Sequence, residues 1–341
     1  MGVKRYLINI SYIGTLFRGI QRQTPRGPDA VADPSTVQGL LEIALDRMKP
    51  KHPVVTLCAS RTDQGVHALK SSVTVDLDFS YEPSPNIIHK FLNNFFDDTQ
   101  LPIRVQEVRQ VPIDFNARKM PLWRKYIYRF ATLKPNSLTD DRLSKNLLPI
   151  PITEFDRCYF VSDSKFDLEA VNKTCELFIG THDFITFMGK PKLQPEDIST
   201  IRCMHQLYVE PSQCHVPSSF DDYFNYWLLT CTGKSFLYNQ IRRTVSVLLS
   251  VGQGKLTVDD VRQMLLEPSP SSYPQNLALA PACGLYLADI FYDPADMALP
   301  DVEEKIDEKK VEEEREKTNK ELIKERLEIL KLRKDKEMSI S

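Results

Sequence analysis

The sequence predicts an α+β fold, on three observations. Strand-like and helix-like segments follow one another as strand, helix, strand, strand, helix, strand over the first 108 residues. That order suits helices on one face of an antiparallel sheet better than it suits the regular alternation of a parallel one. A loop-rich stretch at 134–165, with Lys134-Pro135-Asn136-Ser137 and later prolines, then separates this unit from a second set of helices and strands. Finally, 341 residues of ordinary hydrophobic content can build one large core or two of usual size.

The first unit opens with a strand from Arg5 to Tyr12. Tyr6, Ile8, Ile10 and Tyr12 lie on one side, Leu7 and Asn9 on the other. After the turn at Gly14-Thr15 comes a loop, 17–23, where Arg18, Gln21, Arg22 and Gln23 sit beside Gly19. Polar groups next to glycine suit an ordinary surface loop or one that approaches a phosphate backbone. A Pro-rich connector, 24–34, precedes a helix from Val37 to about Met48. Ser35-Thr36 is its capping region, and Leu40, Leu41, Ala44, Leu45 and Met48 form its apolar face. Val54–Leu57 is an apolar β-type segment, and Val73–Phe79 alternates as a half-buried strand does. A second amphipathic helix, Asn86–Phe96, turns Ile87, Ile88, Phe91, Leu92 and Phe95 inward, and a strand at Ile103–Val108 follows.

Between the two central strands lies the stretch from Cys58 to Leu69. Asp63 can hydrogen-bond the backbone two residues on, and Gly65 permits a positive φ, so Asp63-Gln64-Gly65 is a turn. A single carboxylate is thus presented by two strands, with Arg61 before it and His67 after it. A polar turn capped by its own aspartate and a rigidly held catalytic carboxylate both fit that spacing. Downstream, Asp114-Phe115-Asn116-Ala117-Arg118 leads into a strand, Leu122–Phe130, that alternates basic and aromatic residues. Arg124, Tyr126 and Tyr128 then share one face. Flat rings beside guanidinium groups can stack bases and hold phosphates, although plain alternation is equally that of an exposed strand.

The second unit begins with a helix, Asp167–Phe178, followed by Gly180-Thr181-His182-Asp183-Phe184. His182-Asp183 lacks the Gly-x-Ser-x-Gly elbow of a hydrolase and is taken as architecture. Strands at Thr200–Glu210 and Tyr223–Thr232 come next. Gly233–Arg243 then opens an apolar helix running through Leu249. Arg242 stands there beside Ile241, Val245, Leu248 and Leu249, a setting in which an arginine normally has a carboxylate partner. From Pro300 onward the composition turns to Glu, Lys and Arg, with Glu313→Lys317 and Glu316→Lys320 four apart, as in a solvated helix or a disordered tail. Residues 301–341 hold 14 acidic and 12 basic side chains, which leaves 32 of each in the body. A neutral total neither demands nor forbids a basic cleft, because phosphate binding depends on where the cations cluster. The 7 cysteines are odd in number and scattered, without a C-x-x-C, which predicts a reduced, intracellular protein. Cys203, His205, Cys214 and His215 fit no usual zinc spacing. No apolar run approaches a membrane span, and no signal or transit pattern opens the chain.

Arg61-Thr62-Asp63-x-Gly65-Val66-His67-Ala68 resembles the signature of the TruA family of tRNA pseudouridine synthases. Further stretches agree with the family's order: Tyr12-x-Gly14-x-x-Phe17-x-Gly19-x-Gln21-x-Gln23, Thr36-Val37-Gln38 with Leu41-Glu42-x-Ala44, and Phe115-x-Ala117-Arg118 before Tyr126-x-Tyr128. Gly180-x-His182-Asp183-Phe184, Gly233-x-x-Phe236-Leu237 before Arg242, and Ala280-Pro281-x-x-Gly284 extend it, so the likeness covers about 5–293. Asn116 stands where the family usually has His, and Asn239-Gln240 where it more often has His-Met, which points to the eukaryotic synthase-like branch.

The resemblance implies that Asp63 is the nucleophile, that Arg242 pairs with it, and that Tyr126 stacks on the target uracil. Arg61 would hold the flipped nucleotide or fill the space it leaves, and Arg18, Gln21, Gln23, Arg118, Arg124 and Lys125 would contact RNA, with His67 structural. It further implies no metal or redox cofactor, tRNA or another RNA as partner, no membrane, and a homodimer. The fold would comprise two RRM-like, ferredoxin-like halves in one continuous antiparallel sheet, helices on one face, around a central RNA cleft. Residues 1–133 would carry Asp63 and 166–295 Arg242, with 134–165 as connector and 296–341 as charged tail. A catalytically silent RNA binder of the same fold and a carboxylate-based hydrolase are the rival readings.

Overall fold

Lys4–Tyr12 (β1) forms the strand that its alternation predicts, but both sides of it are covered: Tyr6, Leu7, Ile8, Ile10 and Tyr12 are all buried. A strand so placed lies inside a sheet. β1 pairs antiparallel with His67–Leu77 (β3) on one side and with Ile103–Val111 (β4) on the other. The computed structural model describes residues 2–24, 32–135, 148–162, 165–190, 199–217 and 221–299, which fall in one unit ending at Leu299. Parts of the predicted connectors, and the charged tail from Pro300, lie outside the described residues.

The remaining strands are Thr56–Cys58 (β2), Trp123–Leu133 (β5), Tyr159–Val161 (β6), Gly180–Asp183 (β7), Ile201–Ser212 (β8), Phe224–Gly233 (β9) and Leu285–Phe291 (β10). They make one sheet in the order β4-β1-β3-β10-β5-β9-β8-β7, with β2 paired to β3 and β6 to β5. The helices are Val37–Asp46 (α1), Pro85–Asp98 (α2), Leu168–Leu177 (α3), Gln240–Gly252 (α4) and Val258–Leu266 (α5). The expected α+β class is therefore present, but the sheet is mixed rather than wholly antiparallel. β10 runs parallel to β3, and β6 parallel to β5. The β3–β10 join rests on two residue pairs, Tyr286↔His67 and Leu287↔Ala68. A parallel join is tolerable there because both strands are buried on each face at that point.

α1 shows how the N-terminal side is assembled. The Thr36 hydroxyl caps it by accepting from Gly39 N–H, while Gln38 and Glu42 turn inward. Gln38 accepts from the backbone of Arg22 and donates to the Thr56 carbonyl. Glu42 accepts from Thr56 and pairs with the Arg22 guanidinium at 3.1 Å. One helix face thus holds the opening loop and β2 together, and Arg22 is fully occupied in doing so. The Gly180–Phe187 block packs Phe178, Phe184 and Phe187 into the core with ring centroids 5.0–6.4 Å apart. Each such ring contributes roughly 2–3 kcal/mol of transfer free energy. Among the described residues the His182 and Asp183 side chains bond to nearby backbone, at Ile179 and Ile185.

One row of the sheet positions the site. Ile103, Tyr12, Ala68, Leu287, Tyr126, Cys231 and Leu207 stand opposite one another across seven strands, and all seven are buried. Residues directly opposite share a face. The loop that precedes β3 is therefore delivered above Tyr12 and Tyr126.

Candidate active site

The site starts from the eight residues between β2 and β3, from Ala59 to Val66. Val66 N–H donates to the Asp63 carbonyl, closing the predicted turn, and Gly65 takes φ +79°. Gly14 and Gly19 let the opening loop lie against this turn. A Cβ at Gly14 would meet the Val66 carbonyl at 1.9 Å, and one at Gly19, where φ is +110°, would meet that of Thr62 at 2.8 Å. Ile20 N–H donates to the Thr62 carbonyl, and the Thr62 and Tyr12 hydroxyls bond at 2.7 Å. The turn is thereby fixed on both flanks of Asp63.

Asp63 itself is half-buried. Burial pushes its carboxyl above the usual carboxylate range, and the Arg242 guanidinium opposes that rise. Among the described residues Arg242 makes no direct ion pair with Asp63, so it acts as a nearby charge rather than the contact partner that the resemblance implies. Its orientation is built in. Arg242 Nε donates to the Ala280 carbonyl at 2.7 Å, Ser246 Oγ donates to the Arg242 carbonyl, and Ala280 N–H donates back to Ser246 Oγ at 2.7 Å. α4 begins at Gln240, later than the sequence predicts, because Asn239 takes the left-handed conformation (φ 58°) and ends the turn that follows Gly233.

Tyr126 lies in the row beneath the turn, with Phe236 packed edge-on at 5.3 Å. Burial pushes its hydroxyl up to about 12; Arg124 and Ser60 pull it back, and Asp63 adds to the rise. Asp63, Arg242 and Tyr126 are thus brought together, although they come from a loop, a helix and a strand far apart in sequence. The expected stacking platform on β5 is a correction. Tyr128 is fully buried, with its hydroxyl on the Pro281 carbonyl, because Gly284 and the chain around it cover that end of the face. Arg124 is not a free cation on that face either: it donates to Ser60 Oγ and to the carbonyls of Ala59, Arg118 and Lys234. Lys125, one residue on, alternates to the other face, opposite Asp289 and Thr232. Arg18, Gln21 and Arg61 are exposed around the turn and Arg118 is exposed nearby, whereas the Gln23 side chain is committed to the Arg18 carbonyl.

The sequence reading assigned no role to the segment Ala280–Gly284, yet it organises the site. It binds Arg242 and Ser246 through Ala280, Tyr128 through Pro281, and His67 through Cys283. Its only outward signal is the Ala280-Pro281-x-x-Gly284 pattern. His67 is structural, as expected. Gly14 N–H donates to Nδ1, which assigns the ring proton to Nε2, and Nε2 donates to the Cys283 carbonyl at 3.0 Å. The ring also stacks on Tyr286, with centroids 4.5 Å apart. Burial pushes its pKa down to about 4. Because the unfolded chain binds the proton more tightly, stability falls as pH drops from about 6.5 to about 4, by about 3 kcal/mol in total. We expect His67→Gln to flatten the chain's stability across that window in urea melts; an unchanged slope would contradict this.

A half-buried carboxylate, a guanidinium and a tyrosine thus stand on one α+β sheet, with exposed arginines around them. Known proteins supply the family. The model of the tRNA pseudouridine synthase family matches residues 174–293. The mouse protein tRNA pseudouridine synthase-like 1 is 33% identical over 299 residues, covering 85% of this chain and 94% of its own. Its human counterpart is 32% identical, covering 84% and 90%. The tRNA pseudouridine synthase A of Leuconostoc mesenteroides is 33% identical, covering 85% of this chain and 99% of its own. The chain belongs to the TruA family of tRNA pseudouridine synthases. No helix among the described residues is long and apolar enough to cross a membrane.

Proposed function

We propose that this chain isomerises uridine to pseudouridine in tRNA, with Asp63 as the nucleophile. The observation that carries the reading is Asp63 itself, raised by burial, opposed by the Arg242 charge and close enough to influence Tyr126. The reaction breaks the bond from uracil N1 to C1′ and forms one from C5 to C1′. C5 loses its proton to solvent and N1 gains one, so the product is an isomer. Asp63 would attack C1′ or add to uracil C6, and both routes need it ionised. The target base must first leave its stack. Tyr126 would then receive the uracil, and Arg61 would hold the flipped nucleotide.

The two-half reading of the sheet belongs to this proposal. The order β4-β1-β3, with β2 on β3, and the order β10-β5-β9-β8 repeat the same arrangement of first, second, third and fourth strands. That repeat supports two ferredoxin-like halves, the first ending near Leu133, with RNA lying between them. We further propose a homodimer working inside the cell.

The test is tritium release from tRNA carrying 5-tritiated uridine, with wild type beside Asp63→Ala. Release by wild type alone establishes both reaction and nucleophile. Release by both would remove Asp63 from the role, and release by neither from a broad tRNA pool would favour a silent RNA binder.

A further inference from the structure

Resting on that reading, we infer that Arg61, Arg118 and Lys234 form a single site for an RNA backbone phosphate beside the flipped nucleotide, held in shape by Arg124. The argument begins with what Arg124 does. Its Nε donates to Ser60 Oγ at 2.7 Å, and Nη2 to the carbonyls of Ala59 at 2.8 Å and Arg118 at 3.1 Å. Its Nη1 donates to the carbonyl of Lys234. One rigid guanidinium thereby ties three separate segments: the Asp63 loop, the turn before β5, and the turn after β9. Burial depresses the Arg124 pKa, as expected of a cation enclosed by protein rather than offered to solvent.

Each tied segment carries a cation at or beside the tie. Arg61 follows Ser60, while Arg118 and Lys234 supply the very carbonyls that Arg124 binds. All three side chains are exposed, and none has an acceptor or ion-pair partner among the described residues. Burial lowers the Arg61 pKa, and the nearby Arg118 charge lowers it further. Cations carried on converging segments without an ion-pair partner favour an anion that joins them, and a phosphodiester offers acceptor oxygens to more than one at once. The position suits the reaction: the cluster adjoins Asp63 on the chain, where extrusion of a base would bring its own backbone close. Arg124 is accordingly a positioning residue and Lys234 an RNA contact.

The experiment is binding of the full chain to a tRNA pool, titrated in potassium chloride, alongside the tritium assay. Lys234 is exposed, so Lys234→Ala leaves the fold intact. We expect it to weaken binding roughly fivefold at about 0.1 M salt and to reduce the slope of log affinity on log salt by about 1. Lys234→Arg restores both. Unchanged affinity, or a loss without a change of slope, would overturn the site. Arg124→Lys keeps the charge but cannot span four acceptors. As a positioning residue it lowers the slope although the charge is retained; an unchanged slope would overturn that role. Wild-type chain that binds tRNA but releases no tritium would sink the isomerase reading instead, and the slopes would still decide the phosphate site.

Discussion

Asp63→Asn removes turnover while preserving the fold and the affinity for tRNA. The substitution keeps the shape of the side chain and loses only the charge and nucleophilicity. Loss of a covalent nucleophile removes at least about 10⁴-fold in rate, or about 5.4 kcal/mol of transition-state stabilisation. The same change should raise the melting temperature at pH 7, and the sign follows from linkage. The folded state lifts the Asp63 pKa above its ordinary value near 3.8, so the folded chain holds that proton more tightly than the unfolded one. Stability therefore falls as pH rises through the window between the two values, and the cost is complete above the folded pKa. Asparagine carries no such cost, because the charge that burial penalises is gone. A variant that is inactive and melts higher at pH 7, with the difference vanishing below the unfolded pKa, bears out both statements. An inactive variant that melts lower at neutral pH would mean that the carboxylate is structural.

Much of this arrangement was legible in the sequence, and the parts that were not share a cause. The turn at Asp63-Gln64-Gly65 declares itself because its residue types dictate its backbone. β1 and α1 declare themselves because alternation and helical period are local signals. β10 does not. Leu285 to Leu287 is apolar and buried on both faces, so it lacks the period that marks a half-exposed strand, and its parallel join to β3 depends on a partner more than 200 residues away. Arg124 was misleading for a related reason. Alternation places it on the face of Tyr126, but only the tertiary fold reveals that the Asp63 loop and the turn at Lys234 close over that face. A strand's own sequence says which side a residue takes and not what lies on that side. The same limit hid Ala280–Gly284, whose contributions come from two backbone N–H or carbonyl groups of one residue and the carbonyls of its neighbours rather than from any distinctive side chain.

Arg242→Ala lowers tritium release at pH 7 by about 10²- to 10³-fold, the usual cost of removing one preorganised electrostatic group from an active site. The mechanism makes a sharper statement than the size of the loss. Arg242 opposes the upward shift that burial imposes on Asp63, so without it the carboxyl titrates at still higher pH. The acid limb of kcat should therefore move upward, and part of the lost activity should return as the pH is raised and Asp63 ionises. Arg242→Lys, which keeps a charge but loses the fixed donor to Ala280, should lie between alanine and wild type on both measures. Structural damage predicts otherwise. If Arg242 mattered only because it anchors Ala280, the variant would lose activity by the same factor at every pH, and its limb would stay where the wild-type limb lies. Ser246 still binds Ala280 N–H in the variant, so the segment keeps one of its two ties to α4. A pH profile measured on wild type, Arg242→Ala and Arg242→Lys thus separates charge from scaffold, and a limb that does not move would assign Arg242 to the scaffold alone.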